Sequence, residues 1–342
     1  MTQQTVDIRT SPLTKTLGAI GKAREFGILI ALAVVVVVTT AINPSFLFST
    51  DGWRDLLLTP SMLVLVAVGQ AVVIVTRNVD LSVGSVIGLT AYLTGRLFSD
   101  VNGIPIIVVV VIAVAVGALL GLVNGALVAF ARVPAMVITL GTLYAFRGID
   151  VVWAGSNRVN ASNLPNGFLV LGTGQFLTIP ILAIVALVLL VAAAWYMRNS
   201  RGGREYYAIG SDPSAAQLYG LRVTRRVLTA FVLSGALAGL AGVFYAARYG
   251  TVDSQAGSGW ELQAVGAAVI GGVAITGGVG SVWGAAIGAV LLMTINRSLP
   301  VVGIPDFWQN AVVGVLIIGA IVLDRVLAVR QKRRLIEARD AS

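Results

Sequence analysis

The chain has 342 residues, of which 57% are hydrophobic and only 11% charged, with a mean hydropathy of +0.91 and a net charge of +9. Soluble domains carry about one quarter charged residues, so no soluble core could bury this much apolar surface and lipid must be the main solvent. The absence of Cys and His excludes disulfides, thiol chemistry and His-ligated metal centres.

Residues 1–25 form a polar leading segment. The apolar run 26–42 continues into Asn43-Pro44 without a small-x-small cleavage pattern, so it reads as an uncleaved first span. Further apolar runs at 56–76, 82–98, 105–130, 135–152, 178–197, 227–247, 261–276, 281–298 and 307–324 bring the total to about ten. The third, eighth and ninth are short and Gly-rich. They are expected to be tilted, broken or partly re-entrant, as is tolerated where protein or a water-filled cavity covers the backbone.

Charge sets the orientation. With ten spans and a cytoplasmic N-terminus, eighteen of the 24 basic residues fall inside. Arg54, Arg96, Arg147, Arg158, Arg248 and Arg297 fall outside. That bias follows the positive-inside rule and explains the net charge without nucleic acid as a partner. The expected architecture is an all-α integral membrane protein with both termini cytoplasmic. Its membrane domain covers 26–324, with a cytoplasmic loop at 198–226 and a basic tail at 325–342.

Asp80, between spans two and three, is read as the N-cap of the third span, with a gate or partner-contact loop formed with Ser82 as the competing reading. Gly117, Gly121 and Gly125 lie four apart on one face with Asn124 beside them, and Gly235, Gly239 and Gly242 repeat the pattern in span seven. Close helix packing explains both stripes, and an interhelical hydrogen bond explains Asn124. Arg147 and Asp150 are placed to form a local ion pair near the outer end of span five. Trp153, Trp260 and Trp308 read as interfacial anchors.

The 198–226 loop holds its own short helix. Asp212 is a suitable N-cap, Pro213 suits the first helical position, and Gly220 can close the element in a left-handed conformation. Gly271-Gly272 and Gly277-Gly278-Val279-Gly280 read as a tight cytoplasmic turn between close helices, because each helix-interior Gly costs about 1 kcal/mol relative to Ala. A weak echo links 67–73 to 264–270 and 83–88 to 279–284.

The chain lacks a phosphate-cradling P-loop: Ala23 follows its only Gly-Lys pair, Gly21-Lys22. Asp80, Asp150, Glu261, Asp306 and Asp324 are expected at span ends rather than deep in the membrane, which argues against a proton relay. Energy is then expected from another polypeptide, and no catalytic or cofactor-binding residue is assigned.

Several motifs together resemble the inner-membrane permease subunits of bacterial ATP-binding-cassette importers for monosaccharides, the ribose/xylose type that includes autoinducer-2 permeases. They are 79–85 (Val-Asp-Leu-Ser-Val-Gly-Ser), 121–126, 134–142, 203–210 (Gly-Arg-Glu-Tyr-Tyr-Ala-Ile-Gly) with Ala215-Ala216 and Gly220-Leu221, 261–272 and 277–284. Asn78, Val79 and Gln263 depart from the family pattern. The resemblance implies a ten-span fold similar to that of vitamin B12-type importers, located in the bacterial inner membrane and working as a homodimer or heterodimer. It also implies a cytoplasmic ATP-binding-cassette ATPase and an extracytoplasmic sugar-binding protein as partners. The segment matching the family's coupling helix holds Arg204, Ala208, Gly210, Asp212, Pro213, Ala215, Ala216 and Gly220. An autoinducer-2 or nucleoside permease of the same class is the alternative, and a secondary transporter a more distant one.

Overall fold

The computed structural model describes residues 12–131 and 133–305, with isolated positions between 308 and 322. Residues 1–11, the basic tail, Asp306, Asp324 and most of the span at 307–324 lie outside the described residues. The helices in chain order are α1 (Pro12–Ile42), the single turn α2 (Ser45–Phe48), α3 (Thr50–Val75), α4 (Val83–Asp100), α5 (Ile106–Ala131) and α6 (Ala135–Ala154). They continue with α7 (Asn166–Thr173), α8 (Ile181–Asn199), α9 (Arg201–Ser211), α10 (Pro213–Leu218), α11 (Val223–Tyr249), α12 (Trp260–Ile270) and α13 (Val282–Val301). A two-stranded hairpin, β1 (Gln175–Phe176) and β2 (Ile179–Pro180), precedes α8. Nine of the expected spans fall on α1, α3, α4, α5, α6, α8, α11, α12 and α13, and seven of these helices are long and apolar enough to cross a membrane.

The order of burial explains the arrangement. The apolar window of α3 is 94% buried, whereas those of α5 and α8 are 22% buried. Helix α3 is therefore the axis, touched by α11, α13, α8 and α12, while α5, α6 and α8 turn an apolar face to lipid. The two glycine stripes serve close helix packing as expected, and the structure pairs them with each other. A Cβ on Gly121 would lie 2.3 Å from Phe231 O, and one on Gly235 would lie 2.2 Å from Gly117 O. Only hydrogen fits there, which lets α5 and α11 pack backbone to backbone. Gly242 differs: its neighbours are Thr90 Oγ1 and Ile87 O of α4.

Four of the six basic residues expected outside gather at one end of the bundle. Arg248 pairs with Asp55 at 2.9 Å, Arg158 with Asp253 at 3.8 Å, Arg54 with Thr173 O, and Arg297 with Gly52 O at 2.6 Å. At the other end, Arg77 reaches Gly210 O, and Arg201 and Arg226 reach Glu205.

Three expectations change. The ninth span is an unbroken 20-residue helix and the third has 18 residues, so only the eighth is a fragment. Helix α12 has 11 residues, about 16 Å or half a hydrocarbon core. It is entered by irregular chain at 251–259 that dips into the membrane. Arg147, seven residues before the outer end of α6 and so about 10 Å below it, donates to Ser254 O (2.9 Å) and Ala256 O (2.8 Å) of that chain. For the same reason Trp260 is no interfacial anchor; it packs against Tyr245, ring centroids 6.0 Å apart.

The acids also sit deeper than expected. Asp150 is fully buried, and Glu261 lies at the inner end of the dipping segment. Asp80 is 1% exposed because the 76–82 turn folds back into the bundle. Thr139 donates to Val79 O (3.1 Å), and the Gln70 amide, oriented to satisfy both groups, bonds the N–H and C=O of Asp80. Each partner lies about 6–8 Å inside its helix end. With acids inside the bundle, their placement gives no argument against a proton relay.

Candidate functional site

The 198–226 loop is more structured than a stub between linkers, because the segment before the stub is itself the helix α9. Ser200 caps it, its side chain accepting from Gly203 N at 2.9 Å. Helix α9 turns one face inward, with Gly203, Tyr206, Ile209 and Gly210 buried and Arg204 and Ala208 exposed. Asp212 then starts α10, its carboxylate accepting from Ser214 N (2.9 Å) and Ala215 N (3.0 Å), with Pro213 in the first turn. Ala216 is the one buried residue of α10, Ala215 is half-buried, and Gly220 leaves the helix at φ 79°. Arg204 donates to Asn199 O at 2.8 Å.

What holds this helix pair to the membrane domain is main chain. Gly210 carries no side chain at the point where three backbones meet: a Cβ there would lie 1.7 Å from Val75 O and 2.5 Å from Gly278 N. Gly278 N itself donates to Val75 O at 2.9 Å. Arg77, in a left-handed conformation (φ 65°), donates from Nε to Gly210 O at 2.6 Å. Tyr207 OH donates to Gly280 O at 3.1 Å. The α3–α4 turn, the α12–α13 turn and the end of α9 therefore form one joint. The Gly-rich 271–280 segment supplies it with residues at φ 94° (Gly272), 81° (Gly277) and 73° (Gly278), a conformation that L side chains disfavour.

A second tie runs from α9 to α11. Glu205 accepts from Arg226 Nε at 2.5 Å and from Arg201 Nε at 2.9 Å. The Arg226 hydrogen bond, and after it the Arg201 bond, hold the Glu205 carboxyl below its ordinary range. A depressed carboxyl stabilises the fold above its unfolded pKa, about 4.3, and that contribution is lost as pH falls through the folded value. The difference in thermal midpoint between the wild type and Glu205→Gln is therefore expected at pH 7 and should shrink as pH falls below the ordinary carboxylate range. A difference that ignored pH would refute the ion pair.

Asp80 and Ser82 lie inside the bundle rather than on the cytoplasmic surface. The cap position of α4 falls on Ser82, not Asp80, and the Ser82 side chain makes no capping bond. Instead Asp80 Oδ1 accepts from Ser82 N (3.0 Å) and Ser82 Oγ (2.7 Å), closing a turn. Asn124 of α5 donates to Ser82 Oγ at 2.6 Å, the interhelical bond its position suggested. The polar pit so formed links α3, α4, α5 and α6 immediately above the joint.

Arg147 is more than half of a local ion pair. Its contact with Asp150 is long, 3.5 Å, while Nη1 bonds two carbonyls of the 251–259 segment and Nη2 bonds Gly84 O at 3.2 Å. One guanidinium thus fastens α6, the start of α4 and the entry to α12. The sequence carried no signal for this, because the carbonyl partners lie more than 60 residues away. Among the described residues no group of acids, His or Cys could hold a metal.

The sequence profile of a family described as branched-chain amino acid transport system, permease component, matches residues 53–321. The chain is similar to the autoinducer 2 import system permease protein LsrC of Enterobacter sp. (strain 638), 37% identical over 304 residues, 89% of this chain and 87% of that one. It is similar to the Klebsiella pneumoniae protein of the same name at 36% identity, again 89% and 87%. The Salmonella paratyphi B counterpart is 34% identical, with 91% and 89% covered. No solved structure matches the chain.

Proposed function

Because the chain belongs to the branched-chain amino acid transport system permease-component family, a multi-pass inner-membrane protein, we propose that it is the translocating subunit of an ATP-driven importer for a small sugar. In this reading a cytoplasmic ATP-binding-cassette ATPase docks on α10 and the exposed edge of α9. A binding protein delivers the solute from outside, and a second permease copy or homologue completes the pathway. The chain makes and breaks no bond. Arg204, Ala208, Asp212, Pro213 and Ala215 would face or shape the docking surface, while Gly210, Ala216 and Gly220 fix the geometry behind it.

One observation carries the proposal: α10 ends on large apolar side chains left in water, Leu218 at 89% and Tyr219 at 88% exposed, while the joint behind it touches both membrane turns. An exposed apolar tip asks for a protein partner, and its rigid backing would carry a push into α3, α4, α12 and α13. The Asp80–Ser82 turn, directly above, would be the inner gate that such a push opens. The domain division assigns 26–324 to the membrane, 198–226 to coupling and 325–342 to the tail.

The names of the relatives favour autoinducer-2 as a second solute. The test is uptake into proteoliposomes holding the complete complex, with radiolabelled ribose, xylose, autoinducer-2 and leucine. ATP-dependent uptake of a sugar supports the main reading, and uptake of autoinducer-2 alone supports the second. Transport by this chain without an ATPase would refute both.

A further inference from the structure

We propose that the cleft between the end of α5, α10 and the first turn of α11 binds an anionic glycerophospholipid, its phosphate between Arg222 and Arg225 and an acyl chain along Phe130. Only the leaflet, the inner one, depends on the cytoplasmic reading of 198–226. The site is independent of the solute carried.

The packing of α5 on α11 closes at Gly125, where a Cβ would lie 3.0 Å from Leu228 Cα. From Leu228 the same face of α11 continues through Arg225, three residues earlier, with Arg222 at the cap position. These side chains line one cleft with Phe130 of α5, Gln217 of α10 and Thr224, about 490 Å³ in volume. That lies within the range of about 300–1,000 Å³ typical of ligand sites.

The cleft is apolar at one end and cationic at the other. Phe130, 71% exposed, and the half-buried Leu228 continue the face of α5 that meets lipid. Arg222 and Arg225 are both exposed. Arg226, in the same turn, is engaged by Glu205 at 2.5 Å, but neither Arg222 nor Arg225 has a side-chain partner among the described residues. No carboxylate lines the cleft. Charge that served orientation alone would need only to sit near the membrane face. Two unpaired guanidiniums beside an apolar wall match a phosphate diester that carries an acyl chain, with the Thr224 hydroxyl as a further donor. Basic pockets between spans on the cytoplasmic side suit anionic headgroups for this reason. A soluble phosphate would leave the Phe130 ring in water, whereas a lipid covers it. Because Gln217 forms the α10 wall, an occupying lipid would also brace α10 against α5 and α11.

The test is lipid retention by the complete complex, stripped in neutral detergent, titrated with phosphatidylglycerol or phosphatidylcholine and read by native mass spectrometry. The wild type is expected to prefer phosphatidylglycerol about 25-fold, roughly five-fold for each arginine. Arg222→Gln/Arg225→Gln should abolish the preference, and Arg222→Lys/Arg225→Lys should keep most of it. Arg96→Gln/Arg158→Gln removes the same charge elsewhere on the chain and should leave the preference unchanged. Equal retention of both lipids by the wild type, or a preference that survives Arg222→Gln/Arg225→Gln, would overturn the site. Displacement by glycerol 3-phosphate at the lipid's own concentration would overturn it too, because the ligand would then be a soluble phosphate. Loss of the ATPase rather than of lipid in Arg222→Gln/Arg225→Gln would assign the cleft to the motor instead. Lipid retention is read without transport, so the lipid site and the importer reading fail separately.

Discussion

Gly210→Val is expected to abolish uptake while leaving the chain inserted in the membrane. Even the Cβ of alanine would fall 1.7 Å from Val75 O and 2.5 Å from Gly278 N, and both neighbours are backbone that cannot rotate away. The residue can be accommodated only if α9 lifts from the joint. Over-packing of this kind costs about 1–3 kcal/mol, too little to unfold a bundle whose core lies elsewhere, yet enough to open one contact. The predicted signature is a complex that hydrolyses ATP but moves no solute. Gly220→Ala tests the locality of the effect. Gly220 also has a positive φ, 79°, but nothing lies within 4 Å of its Cβ position, so that variant should carry only the roughly 1–2 kcal/mol of a left-handed L residue. Asp212→Ala removes two capping bonds, worth about 1 kcal/mol, and is expected to weaken uptake less than Gly210→Val. Wild-type transport by Gly210→Val would sink the assignment of the joint.

Arg147→Ala should have the larger effect on stability. It leaves Asp150 buried with neither carboxylate oxygen hydrogen-bonded, and it frees the carbonyls of Gly84, Ser254 and Ala256. Breaking one side of a buried pair costs about 3–5 kcal/mol, whereas removing both charges in favour of packed apolar groups is often neutral. The expected result is loss of monodisperse protein for Arg147→Ala, with partial recovery in Arg147→Leu/Asp150→Leu. Yield on size exclusion and the thermal midpoint in detergent would measure it. A double variant no better than the single one would mean that the carbonyl bonds, not the ion pair, dominate.

The spans were legible in the sequence because lipid demands long apolar runs, and nine of them fall on helices. The glycine stripes of α5 and α11 were legible for a related reason: small residues four apart leave one obvious surface for close packing. The helix at 213–218 could be read because Asp212, Pro213 and Gly220 each satisfy a distinct local requirement. The depth of Asp80, Asp150 and Glu261 could not. Depth depends on whether a connecting segment stays at the surface or dips, and 251–259 dips because a side chain more than 100 residues away holds its carbonyls. Helix α9 escaped notice because the two glycines and three charged residues of its first five positions resemble a loop, while its apolar face appears only against Val75 and Gly278.

The meeting point of Gly210, Val75 and Gly278 has one further consequence. Its contacts are main-chain atoms, apart from the Arg77 and Tyr207 side chains that brace it. A connection made this way has the same shape in any chain that keeps glycine and the turn geometry, whatever surrounds it. The α9–α10 unit should therefore behave as an interchangeable part. Grafted from another permease with the same two turns, it would seat on this membrane domain and bring that protein's choice of motor with it.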